Sequence, residues 1–343
     1  MQVSENPWRG DGLTIEVLTD VPVPSIDATL AESVVAEHLI GGETPLVRAE
    51  GFGTEVWVKD ERTRMGLGSF KALGAAYVIA HHAAATGASD LGQALEDRTY
   101  ATASAGNHGL SLAFGATRFG ARAVVFIAET VPESFAERLR AQGAEVRREG
   151  AEYEASMAAA AATAEAEGWT LLSDSSWPGY YELPHRLMEG YTAMAAEAAR
   201  QMPGPPSHIF LQCGVGGLSA SCAAYFRSVW GDGPQIVNVE PAAAPALQVS
   251  IAAGGPAVAD GPVSSMGRLD CKEPSIIALK GLARDADRFV TVTDEEVEAI
   301  LPELASVGLS TTASGAAGLA AAKLMHLPED ARVLCFLSEQ ADD

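Results

Sequence analysis

His208-Ile209-Phe210-Leu211-Gln212-Cys213-Gly214-Val215-Gly216-Gly217-Leu218-Ser219-Ala220 reads as an apolar strand, a cluster of glycines and the opening of a helix. Glycines at such a junction let main-chain N–H groups wrap a phosphate while the helix dipole favours its charge. A dinucleotide fingerprint would need G-x-G-x-x-G and an acidic residue on the next strand. Here Gly214-Val215-Gly216-Gly217 runs into Leu218 and Ser219 with no further glycine in place. A single phosphate monoester therefore fits this loop better than a pyrophosphate.

The same strand-then-helix alternation extends in both directions. Strands are expected at Tyr100–Ala103, Ala123–Ala128, Glu145–Arg148, Thr170–Ser173, His208–Cys213, Gln235–Glu240, Phe289–Val292 and Arg332–Ser338. Helices are expected at Ala72–Ala85, Asn107–Phe119, Pro132–Gln142, Glu152–Glu167, Leu183–Gln201, Gly217–Val229, Ala244–Ala253, Pro274–Leu282, Asp294–Ser306 and Ser314–His326. With a crossover after every strand, the fold class is α/β, doubly wound, with helices on both faces of parallel sheets. The alanine run after Met157 continues an outer helix, since alanine is the best helix former. Breaks at Trp177-Pro178-Gly179-Tyr180 and Pro203-Gly204-Pro205-Pro206 mark the return from a small inserted unit, residues 93–180, to a larger one, residues 1–92 and 181–343.

Composition narrows the class. The 343 residues suffice for a large core, and 45 acidic against 23 basic side chains give a net charge of -22. That excess argues against nucleic acid or an anionic membrane as partner. No signal-peptide pattern or membrane span is visible near Met1–Asp11. Cys213, Cys222, Cys271 and Cys335 form neither a CxxC pair nor a zinc spacing, which suits a reducing, cytoplasmic setting without a metal. Cys213 and Cys335 lie in strand-like runs and read as core.

Three further segments carry chemistry. Lys71 sits in Gly68-Ser69-Phe70-Lys71-Ala72-Leu73-Gly74, where a strand and loop give way to an apolar helix. An amine held away from bulk water has a lowered pKa, and its neutral form condenses with carbonyl compounds. The ordinary alternative is a helix-start lysine reaching the surface along its aliphatic stem. Thr102-Ala103-Ser104-Ala105-Gly106-Asn107-His108-Gly109 follows a strand and opens a helix, leaving N–H groups free for a carboxylate; Asn107 as a plain N-cap is the alternative. Ser338 ends the last strand, where a hydroxyl can meet a ring nitrogen without forcing its protonation; a strand-capping serine is the alternative.

Together, and in this order, these segments resemble the fold-type II pyridoxal-phosphate enzymes over about Gly42 to Ser338. The resemblance implies two doubly wound domains with pyridoxal 5'-phosphate between them. It makes Lys71 the lysine that binds the cofactor, with Phe70 beside it, and Asn107 the contact for its 3'-oxygen. Gly214, Val215, Gly216, Gly217 and Leu218 become the phosphate loop and Ser338 the partner of the pyridine nitrogen. Ser104, Ala105, Gly106, Asn107 and His108 become the turn that holds the substrate carboxylate. Val58-Lys59-Asp60-Glu61-Arg62-Thr63-Arg64-Met65-Gly66-Leu67 and Ser265-Met266-Gly267-Arg268-Leu269-Asp270-Cys271-Lys272-Glu273-Pro274 are similar to segments of diaminopropionate ammonia-lyases. Ser310–Gly318 is common to those enzymes and the dehydratases. Two features depart from the pattern. Lyases that use both substrate enantiomers carry an aspartate where this chain has Ala105, and Glu339-Gln340 replaces the usual glycine-rich continuation.

The resemblance implies β-elimination from a β-substituted L-amino acid, 2,3-diaminopropionate first, giving a 2-oxo acid and ammonia. Lys71 would be the only base at the α-carbon. The alternatives are a threonine, serine or 3-hydroxyaspartate dehydratase, a β-replacement synthase, or a binding relative without the chemistry. A homodimer is implied by the family alone. His81, His82, His185 and His326 read as surface or packing residues; Asp270 and Glu273 read as solvated loop carboxylates, with reach to the substrate side chain as the alternative.

Overall fold

The computed structural model describes residues 1–342. Eleven strands form two sheets: β1 Gln2–Glu5, β2 Leu46–Ala49, β3 Glu55–Asp60, β4 Thr99–Ala103, β5 Arg122–Ile127, β6 Glu145–Arg148, β7 Thr170–Leu171, β8 His208–Gln212, β9 Gln235–Pro241, β10 Arg288–Val292 and β11 Arg332–Leu337. The larger sheet runs β1-β10-β9-β8-β11-β3-β2 and the smaller β6-β5-β4-β7.

The smaller sheet is parallel throughout. The larger one is parallel from β10 to β3 but carries antiparallel edges, β1 on β10 and β2 on β3. The expectation of a crossover after every strand therefore fails at β2, which turns directly into β3. Both edge strands are only four residues long and partly exposed, so they lack the continuous apolar run that betrays a central strand.

Alternation along the central strands explains the two helical layers. Ile209, Leu211, Ile236, Phe289, Leu334 and Phe336 enter one core; Phe210, Val237, Val239, Val290, Val333 and Cys335 enter another on the opposite face. Successive side chains of a strand point to opposite faces, so each face needs its own cover. The helices Gly217–Trp230 and Ile276–Asp285 cover the first face, and Ala313–Leu324 the second. The first core is continuous with Tyr100, Val125 and Ile127 of the smaller sheet.

Helix boundaries differ from expectation where backbone chemistry intervenes. The stretch expected as one helix, Asp294–Ser306, is two, Asp294–Glu298 and Leu301–Ser306, because Pro302 has no N–H to continue the ladder and instead starts the second. The helix expected from Ala72 begins at Ala75, after a 3-10 turn over Phe70–Leu73 that carries Lys71. A helix at Ala28–His38 had no expectation behind it. The alanine-rich Tyr153–Glu167 does lie outermost, burying only the stripe Ser156, Ala160 and Ala164.

Candidate active site

Every segment singled out for chemistry emerges at the carboxyl end of a parallel strand, where open α/β sheets gather their ligand-binding groups. Ser104–His108 follow β4, Gly214–Leu218 follow β8, and Ser338 follows β11. Lys71 comes after β3 and is stitched to β11 when Phe70 donates its N–H to the Ser338 carbonyl at 3.0 Å. The 3-10 turn of Lys71 is pressed against the helix Glu182–Gln201. A Cβ on Gly190 would lie 2.0 Å from the Leu73 carbonyl, so only glycine permits this approach.

Lys71 Nζ donates to Asp174 Oδ2 at 2.5 Å, joining the larger sheet's lysine to the residue just beyond β7 of the smaller sheet. Burial pulls the Lys71 amine down, as expected from sequence, but the Asp174 charge, the Tyr191 phenol and the Asp174 hydrogen bond together outweigh it and the amine is raised above its ordinary range. In the same pair, burial pushes the Asp174 carboxyl up, and Lys71 and then His108 hold it well below the usual carboxylate range. Asp174 had not been singled out. Its position at the carboxyl end of a parallel strand was the available signal, masked by the turn-like Ser173-Asp174-Ser175-Ser176 around it.

The Asn107 turn closes on the other side. Gly106, not Asn107, is the N-cap of the helix Asn107–Arg118, and no side chain caps it, so its first N–H groups are free. Asn107 Nδ2 donates to Glu339 Oε2 at 2.7 Å. Glu339 is 4% exposed and also accepts from Thr312 Oγ1 and, at 3.0 Å, from Arg268 Nη1. Burial raises its carboxyl, with Arg268 opposing. Read in sequence only as a departure, Glu339 ties the Asn107 turn to Arg268 and Thr312.

The His108 ring is buried and Nε2 faces the Leu172 carbonyl at 2.9 Å, which makes Nε2 the protonated nitrogen and leaves Nδ1 an acceptor without a partner among the described residues. Burial lowers its pKa. Its unfolded value is about 6.5, so its share of stability is present above that pH and is lost as pH falls through the folded pKa. His108→Gln is expected to flatten the stability curve below about pH 6.5 by up to ~1.4 kcal/mol per pH unit, measured by urea unfolding. An unchanged slope would exclude His108 as its source.

The glycine loop has the form required. Gly216 is left-handed at φ +106°, and a Cβ there would sit 2.6 Å from the Ala278 methyl, so the turn demands glycine. It caps the helix Gly217–Trp230 without any side-chain hydrogen bond, leaving Gly217, Leu218 and Ser219 N–H groups for an anion. Arg268, Leu269 and Cys271 pack on Gly214, each 3.2 Å from where its Cβ would be. The segment 265–274 thus reaches the site, although Asp270 itself is engaged by Lys272 Nζ at 2.7 Å.

A family model described as pyridoxal-phosphate dependent enzyme matches residues 38–339. The chain belongs to that family. Its buried polar groups fit the cofactor: Ser69 Oγ, Tyr191 Oη and His108 Nδ1 have no partner among the described residues, and two uncapped helix N-termini face the same cleft as Lys71. The diaminopropionate ammonia-lyase of Salmonella typhimurium is 32% identical over 265 residues, 71% of this chain and 65% of that protein. Its Escherichia coli K12 counterpart is 31% identical over 260 residues, with the same shares covered. The matched stretch thus spans 65% of the length of these curated relatives. The Escherichia coli enzyme in complex with an aminoacrylate-PLP azomethine reaction intermediate superimposes with a TM-score of 0.84 at 27% identity, over 99% of this chain and 93% of that one. A biosynthetic threonine dehydratase of Solanum lycopersicum is 32% identical over 213 residues, 61% of this chain and 32% of that protein. Among the described residues no helix is long and apolar enough to cross a membrane, and no cluster of metal-ligating side chains occurs.

Proposed function

We propose that this chain is a pyridoxal-phosphate-dependent ammonia-lyase that eliminates the β-amine of L-2,3-diaminopropionate as ammonia, the released enamine then reacting with water to give a 2-oxo acid and a second ammonia. The observation that carries the choice of substrate is the Asp174 carboxylate at 2.5 Å from Lys71 Nζ. An ionised carboxylate at the reacting end of the site complements a β-ammonium group, whereas the β-hydroxyl of threonine or serine carries no charge for it to match. The two lyase relatives support the same substrate.

Pyridoxal phosphate supplies a carbonyl that condenses with amines and a ring that draws electrons from the α-carbon. Gly214–Leu218 would hold its phosphate, Asn107 its 3'-oxygen and Ser338 its ring nitrogen, with Phe70 packed beside Lys71. The N–H groups from Ser104 to His108 receive the substrate carboxylate. Lys71 Nζ, once released from Asp174, takes the α-proton from one face. A neutral Ser338 hydroxyl leaves the ring nitrogen without a charged partner, which favours prompt loss of the β-substituent over transamination.

Ala105 presents a methyl group where a second base would stand, so the D-enantiomer meets no proton acceptor on its own face. Ammonia release from D-2,3-diaminopropionate is expected to be slower than from the L-form by about 100-fold or more. Assay of both enantiomers beside threonine, serine and 3-hydroxyaspartate tests the whole reading. Comparable D and L rates would overturn the single-base assignment, and faster turnover of a hydroxyamino acid would overturn the substrate.

Residues 93–180 as a small domain inserted in a larger one, a cytoplasmic setting and a homodimer complete the proposal. The separate sheet β4–β7 supports the first and four unpaired thiols the second. The third rests on the family alone.

A further inference from the structure

Tyr191 lies in the helix Glu182–Gln201, is 1% exposed, and its hydroxyl finds no partner among the described residues. Leaving a hydroxyl buried and unpaired costs about 1–3 kcal/mol, so such a group in a site usually awaits something that binds there. Its surroundings say what. The ring tilts against Phe70 at 4.9 Å between centroids. On one edge, Oη lies 2.8 Å from where a Cβ on Gly74 would stand; on the other, Cε2 lies 3.4 Å from a Cβ on Gly217.

Gly74 is the N-cap of the helix Ala75–Ala85, and Gly217 is the first residue of the helix Gly217–Trp230. The helix Gly217–Trp230 has no side-chain cap; Gly74 offers none to the other, where Ser111 Oγ accepts from the Ala76 N–H at 3.0 Å. The hydroxyl-bearing end of the ring therefore stands between two helix N-termini, each with a partial positive charge, and at Gly217 the first N–H groups are free. Burial pushes the phenol up to about 12, opposed by the charge and the side-chain approach of the neighbouring Lys71 amine, so it stays protonated and can donate. An anion would satisfy the hydroxyl and both helix ends at once.

We propose that Tyr191 Oη donates a hydrogen bond to the phosphate group of the bound cofactor, completing the site that the Gly214–Leu218 backbone begins. This rests on the reading of that loop as the phosphate site. Tyr191 is then a ligand contact that ties the helix Glu182–Gln201 to cofactor occupancy.

Tyr191→Phe removes the donor and keeps the ring. Wild type and variant, stripped of cofactor, are titrated with pyridoxal phosphate, with pyridoxal and with inorganic phosphate, and thermal midpoints are recorded with and without each. The variant is expected to bind pyridoxal phosphate and inorganic phosphate roughly 10-fold or more weakly, the loss for a hydrogen bond to a charged group. Pyridoxal affinity should be unchanged. The cofactor-free variant should melt at or above wild type, because an unpaired buried hydroxyl is gone; a hydroxyl serving the fold alone would give a lower midpoint. Unchanged phosphate affinity, or an equal loss for pyridoxal, would overturn the assignment. Wild type that binds pyridoxal as tightly as pyridoxal phosphate would instead overturn the reading of the glycine loop, and this proposal with it.

Discussion

Lys71→Ala is expected to abolish ammonia release, by at least about 1000-fold, and to remove the visible absorbance that the cofactor gains on joining the lysine. In the proposed reaction one amine has two tasks, condensing with the cofactor and accepting the α-proton, and general base catalysis alone contributes about 100- to 10,000-fold. The fold should survive. Asp174 loses its partner, but its side chain is 20% exposed and finds water in the cleft, unlike a carboxylate sealed in a core. Absorbance spectra and ammonia assays on the same preparation decide the matter. A retained imine band, or activity within 10-fold of wild type, would refute the assignment of Lys71.

Arg64→Met is expected to destabilise the protein by about 3–5 kcal/mol, the cost of breaking a buried ion pair from one side. Arg64 is 1% exposed and donates from Nε to Glu61 at 2.8 Å, and from Nη1 and Nη2 to Glu197 at 2.8 and 2.6 Å. Lys59 Nζ completes the cluster at 2.6 Å from Glu197. Burial pushes the Glu197 carboxyl up, yet Arg64 and Lys59 together hold it below its ordinary value. Without Arg64, two buried carboxylates share one lysine. The cluster fastens the loop between β3 and Lys71, which includes Met65 at φ +52°, to the helix Glu182–Gln201. Urea unfolding measures the loss, and Lys71-dependent absorbance should become sensitive to mild denaturant. A change under 1 kcal/mol would show that Glu61 and Glu197 are not left as uncompensated buried charges when Arg64 is removed.

The central strands were legible because a strand covered on both faces is largely apolar, and β8 and β11 have that composition, while β9 keeps Asn238 and Glu240 among its apolar residues. The edge strands were not, since half their side chains meet water. The glycine loop was legible for a steric reason: Gly216 tolerates no other residue at its φ and beside Ala278. Asp174, Tyr191 and Glu339 lacked such a mark. An aspartate after a short strand, a tyrosine in a buried helix and a glutamate near a chain end all have ordinary explanations in sequence, and each gains its meaning from a partner more than 100 residues away or from having no partner at all.

The sequence by itself determined the order of the central strands and their helices and the glycine turn at Gly216, because backbone conformation and residue size are local constraints. Only the tertiary structure decided which charges are buried, that Asp174 rather than solvent faces Lys71, and that the Tyr191 hydroxyl stands unpaired between two helix ends. Those outcomes depend on desolvation and on distances across the cleft, and both arise only when the carboxyl ends of the two sheets meet.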